Sequence, residues 1–208
     1  MLDRTRTLWE KQDGAVGDRR PLYAAVAEAV EAATVLYPGS YVDLAPSWSW
    51  PSVTYVDVDR RANQFFSDLD GVRALLAERE SGAANHEVRF VHADYQEPLA
   101  LPDEAFDLVI SLYAGFVSEH CTRYLRVGGH LLVNSSHGDA AMASIDDRYR
   151  LAGVIEARNQ RFRVVTDDLD RFLVPKRPVE ITRASLHQSG RGVAYTRSPF
   201  AYLFERVA

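Results

Sequence analysis

Several absences narrow what this chain can be. It has one cysteine, Cys121, in 208 residues, so no internal disulfide can form and a reducing, cytoplasmic setting is expected. Its longest apolar stretch, 106–117, is interrupted by Asp107 and is too short to span a bilayer, so no membrane is expected. The opening residues, MLDRTRTLWEKQDG, are charged and lack the apolar centre of a signal peptide. Positive charge is not in excess: the net charge is −5, which argues against a nucleic-acid footprint. There is no internal repeat, no low-complexity tract, no P-loop and no GxSxG elbow. No spacing of His, Cys, Asp and Glu resembles a metal site.

What is present is enough for a core. The chain is 47% hydrophobic and 25% charged, which suits one domain spanning 1–208. Residues 1–20 are polar and read as an arm or a lid-like helix. Pro21 suits a first helical turn, and Leu22, Val26, Ala29 and Val30 follow at helical spacing over 21–32. The period then changes. Short apolar runs at 34–37, 52–57, 87–92, 106–112 and 130–134 read as strands, and such runs suit a parallel sheet buried on both faces. Helices are expected around Ala62, Phe65 and Phe66, over 71–80 behind an Asp70 cap, and from Phe116 to a glycine C-cap at Gly128-Gly129. Beyond 150 the rhythm breaks. A hairpin around 158–160, a short capped helix over 167–173 and a final strand over 202–207 are expected. The alternation over 21–135 implies an α/β fold, doubly wound and Rossmann-like, with helices on both faces.

In such sheets ligands sit at the carboxyl ends of the strands. Those ends carry Tyr37 and Gly39, Asp57 and Val58, Asp94 and Tyr95, Ser111 and Tyr113, and His137. A carboxylate leaving the second strand can accept both hydroxyls of a ribose, and an acceptor leaving the third can take an adenine amine.

The order VLYPGSY, VTYVDVD, HADYQEPLALPDEAFDLVIS and LRVGGHLLV, over roughly 33–135, resembles the motif series of the class I S-adenosylmethionine (SAM) methyltransferases. That resemblance implies a three-layer αβα fold whose mostly parallel sheet carries an antiparallel edge strand, formed by the final strand. It implies SAM as cofactor, with Asp57 on the ribose, Asp94 facing the adenine and Gly39 in the cofactor loop. Tyr37, Val58, Tyr95 and Ser111 complete the expected cofactor contacts. The first loop departs from the pattern: Tyr37 stands at the usual acidic position, and Tyr41 and Asp43 stand where further glycines are expected. Either the loop is rebuilt around a bound cofactor or SAM binding has been lost.

His137 is placed to act as a general base and Tyr113 to orient an acceptor, although a loop histidine is more often a surface residue. His92, Glu119 and His120 have weaker claims. Trp48 and Trp50 could cover a ligand but more often cap a core edge. Lys176, Arg177 and the basic 191–197 segment could hold an acidic substrate or could simply be solvated. The leading expectation is SAM-dependent methyl transfer to a small molecule. The alternative is a non-catalytic member of the fold that binds a ligand or acts as a partner subunit. A dinucleotide enzyme ranks last, since no intact GxGxxG follows the first strand.

Overall fold

The computed structural model describes residues 3–78, 86–159 and 161–208. Eight strands form one sheet in the order β3-β2-β1-β4-β5-β8-β6-β7. They are β1 (Thr34–Pro38), β2 (Ser52–Asp57), β3 (Glu87–His92), β4 (Phe106–Ser111), β5 (Leu125–Val133), β6 (Tyr149–Arg158), β7 (Arg161–Val165) and β8 (Ala201–Arg206). The first five pair in parallel. β8 runs antiparallel to both β5 and β6, and β6 runs antiparallel to β7. The chain winds outward from β1 to β3 and then returns to β4 on the other side of β1. The topological switch point therefore lies between β1 and β4.

Alternation along the strands feeds two cores. Val35, Tyr37, Val53, Tyr55, Leu108, Ile110 and Leu203 point to one face. There they meet α1 (Asp3–Val16), α2 (Arg20–Ala29), α3 (Arg60–Phe66) and α4 (Leu69–Ala77). Leu36, Val56, Val109, Leu131, Val133 and Phe204 point to the other face. There they lie under α5 (Val117–His120), α6 (Asp139–Ser144) and α7 (Arg183–Ser189). This is the three-layer αβα arrangement, with β7 as the antiparallel edge.

Several local expectations are corrected. The final strand is antiparallel but internal, and the edge goes to β7, whose Arg161 and Arg163 tolerate solvent better. The helix after β4 is one turn followed by a 3-10 turn at Thr122–Tyr124. Gly128 and Gly129 do not cap it; they lie inside β5, where a Cβ on Gly129 would stand 2.9 Å from the Asp107 carbonyl oxygen. Only a glycine lets β5 pass that close to β4. The cap of α4 is Asp68, which accepts from the Gly71 N–H at 3.1 Å, and Asp70 lies one residue inside the helix. The expected end of that helix, 79–80, lies outside the described residues, as does Gln160 of the β6–β7 turn. Leu169–Phe172 is a 3-10 turn without a side-chain cap. The N-terminal stretch is helical and docked: Trp9 packs 5.6 Å from Trp48, and Thr5 Oγ1 donates to Asp68. Trp48 and Trp50 thus belong to the helix layer, Trp50 lying 5.8 Å from Tyr23.

The end of the sheet opposite the strand carboxyl termini is tied by one carboxylate. Asp107, early in β4, accepts from the N–H groups of Ala33 and Thr34 at 2.9 Å and from the Arg126 guanidinium. Burial alone would raise its pKa, but Arg126 and the β1 donors outweigh burial and hold it at about 2. A carboxyl depressed on folding adds stability above its unfolded pKa and loses it as pH falls through the folded value. Asp107→Asn should therefore lower the thermal midpoint at neutral pH. That gap should shrink as the solution is acidified from about pH 4 toward pH 2, which melting curves across the acid range would read.

Candidate functional site

Among the described residues, four of the seven non-glycine positions with positive φ follow the parallel strands at their carboxyl ends. Tyr41 (φ 48°) follows β1, Tyr113 (φ 63°) and Phe116 (φ 56°) follow β4, and His137 (φ 55°) follows β5. Each costs about 1–2 kcal/mol relative to an ordinary backbone. Strain of this kind persists where the surroundings fix it, and it clusters at working sites.

The loop after β1 carries Gly39 at φ 67°, and its N–H donates to the Val56 carbonyl at 2.8 Å. A Cβ there would stand 2.9 Å from the Ala114 Cβ and 3.6 Å from Tyr95 Cε1. The loops after β1 and β4 therefore touch at the switch point. Tyr95, from the loop after β3, lies across the contact. Its hydroxyl donates to the Gly115 carbonyl at 3.0 Å and accepts from the Gly115 N–H at 3.2 Å. Burial raises the Tyr95 pKa, so the phenol stays neutral and serves as a fastener, not a base. His137 borders the same spot, its Cβ 3.4 Å from where a Gly115 Cβ would lie, and its side chain is exposed.

Asp57 sits at the end of β2 with its carboxylate half-buried. One oxygen accepts from the Tyr41 N–H and the other from the Asp59 N–H, both at 2.7 Å. Asp59 caps α3 and chelates Arg61, whose guanidinium lies 5.4 Å from the Tyr41 ring centre. Asp94 is exposed and accepts from the Gln96 N–H at 2.9 Å, closing its own turn. Val58 is 59% exposed, and its carbonyl lies 3.0 Å from His92 Nε2. Tyr113 is 54% exposed and turned toward solvent.

Two residues expected at this site point elsewhere. Tyr37 shares parity with Val35, so its ring goes into the first core, where its hydroxyl donates to Asp43 at 3.2 Å. Burial, and then the Asp43 charge, push that phenol well above its ordinary pKa. Ser111 is fully buried and donates to Asp139, the buried carboxylate that also binds Ser118. It pins β4 to α6 and does not reach the strand-end surface.

What sequence reasoning missed is the group that replaces the glycine loop. Asp43 is buried and receives Arg19 at 2.7 Å and the Tyr23 hydroxyl at 3.0 Å. Arg19 also lies 5.1 Å from the ring centre of Tyr113. The segment before α2 thus reaches over the β1 and β4 loops. The available signal was Asp43 itself, a lone acid between Val42 and Leu44, because a buried carboxylate needs a cation. In place of the helix common between β1 and β2 stands one 3-10 turn, Ala45–Trp48.

This arrangement can be set beside solved structures. An O-methyltransferase from Bacillus cereus, in complex with SAH, matches with TM-score 0.52 and 8% identity over 79% of this chain and 89% of that one. A methyltransferase from Geobacter sulfurreducens matches with TM-score 0.50 and 15% identity, covering 74% and 85%. The chain has the class I methyltransferase fold. The 16S rRNA methylase RmtB shares that fold with TM-score 0.53 and 11% identity over 95% of this chain, which spans 65% of that one. The chain spans about half, 54% and 44%, of two further matched structures, each with TM-score 0.43. No protein-family model and no curated protein sequence matches the chain. At these identities the likeness concerns the fold alone, and a fold does not carry an activity. No helix among the described residues is long and apolar enough to cross a membrane.

Proposed function

We propose that this methyltransferase-fold protein is non-catalytic, works without SAM, and acts as a ligand-binding or partner subunit. The observation that carries this reading is the contact between Gly39 and Ala114, fastened by Tyr95. A cofactor at a switch point lies between the two loops that border it. Here a Cβ on Gly39 would stand only 2.9 Å from Ala114, and Arg19, paired with the buried Asp43, lies against the Tyr113 ring of the β4 loop. On this reading the closed loops exclude SAM. Calorimetric titration with SAM and with S-adenosylhomocysteine at millimolar ligand should give no heat, and neither should shift the melting temperature. Micromolar binding of either, about −8 kcal/mol, would overturn the reading.

A second reading, SAM-dependent methyl transfer to a small molecule, is favoured by Asp57. That carboxylate stands at the end of β2 and keeps lone pairs beyond the two N–H groups it accepts. It requires Tyr95 to swing away from Gly39. Under it, Asp57 would hold a ribose, Asp94 an adenine, and His137 and Tyr113 would face the acceptor. Micromolar SAM affinity abolished in Asp57→Ala is its signature, and unchanged turnover in His137→Ala would remove the base assignment.

A further inference from the structure

Between β7 and β8 the chain builds a second concave site that the strand-end loops do not use. Residues 174–176 and 194–196 pair as a short ribbon: the Lys176 N–H donates to Ala194 and the Thr196 N–H to Val174, both at 2.8 Å. α7 packs beside this ribbon, started by Thr182, which accepts from the Ser185 N–H in a reciprocal cap. The 191–194 segment is pressed onto the loop after β5. Gly192 lies against the Ser135 carbonyl with no room for a side chain, and Arg191 backs onto Gly138. Together they line an open cleft of about 600 Å³, a size that takes a small organic molecule.

The lining of the cleft selects the class of ligand. Its walls are Val179, Ile181, Leu186 and Val193. Leu186 is buried in the second core, so that wall is fixed. The mouth carries Lys176, Arg177 and Arg191 against a single carboxylate, Glu180. The protein as a whole is acidic, with net charge −5, so this rim reverses the local sign. An apolar hollow would admit any greasy molecule, whereas three cations at its mouth favour one that ends in an anion.

We propose that this cleft binds an amphipathic small-molecule anion, with its apolar body against Val179 and Val193 and its carboxylate or phosphate at Arg177 and Arg191. The site is separate from the β1–β4 contact, so it stands whether or not SAM binds. Decanoate is a suitable probe, titrated calorimetrically into the full chain below its micelle concentration. Saturable binding is expected. Arg177→Glu with Arg191→Glu should weaken it by about 10-fold or more, as loss of charge-assisted hydrogen bonds predicts. Both side chains are exposed, so the thermal midpoint of this variant should match the parent. Decyltrimethylammonium, with the same tail and the opposite charge, should bind at least about 10-fold more weakly than decanoate. The proposal is overturned if decanoate does not bind, if the cationic probe binds equally, or if the double variant keeps its affinity.

Discussion

Asp43→Ala is expected to lower folding stability by about 3–5 kcal/mol, the usual result of removing one partner from a buried ion pair. Arg19 and Asp43 are 11% and 4% exposed, so water screens the pair little. One carboxylate oxygen gathers the Arg19 guanidinium and the hydroxyls of Tyr23 and Tyr37, and the other accepts from the Ala45 N–H at 3.2 Å. Removing it strands a cation, two phenols and an amide that are all largely shielded from water. Urea titration should show a lower midpoint with an unchanged slope. Asp43→Asn keeps an acceptor and should lose less. Adding Arg19→Met to Asp43→Asn should recover part of the loss, because the unpaired charge is then gone. A loss below about 1 kcal/mol in Asp43→Ala would mean the pair is solvated like a surface bridge.

Gly39→Ala should cost about 2–4 kcal/mol, from two separable sources. A left-handed backbone charges any L-residue about 1–2 kcal/mol. The new methyl would also stand 2.9 Å from the Ala114 Cβ, closer than carbon atoms pack. Ala114→Gly in the same chain removes the clash and leaves the backbone term. A double-mutant cycle should therefore show recovery of about 1 kcal/mol or more. No coupling between the two positions would mean the β1 and β4 loops stand apart, leaving the crevice open. That result would also remove the main support for a SAM-independent protein.

The sheet was largely legible from sequence because parallel strands buried on both faces read as unbroken apolar runs. β2 and β3 begin and end at the expected residues, although β3, at the sheet edge, alternates exposed and half-buried positions. The strand-end acids were legible too, since Asp57 is the last residue of β2 and Asp94 lies two beyond β3. Less legible were features decided by tertiary contact. A glycine pair after an apolar stretch signals a helix cap and a crowded strand equally well, and only the approach of Asp107 decides for the strand. Tyr37 lies near the end of β1, but its parity with Val35 sends it inward. Arg19 carried no local mark of its role. Its partner lies 24 positions along the chain, and long-range ion pairs leave no periodic trace.

The place of β8 also bears on how the molecule comes together in time. β6 and β7 are made well before β8, yet β6 reaches the rest of the sheet only through it. During synthesis β1 to β4 have all their lateral partners early, whereas one edge of β5 and the inner edge of the β6–β7 hairpin stay unpaired until residues 201–206 emerge. Late-closing, non-local pairing of this kind slows folding and exposes sticky surface meanwhile. Shielding of that hairpin, by chaperone or by slow handling during refolding, should govern the yield of native protein more than anything at the strand-end loops.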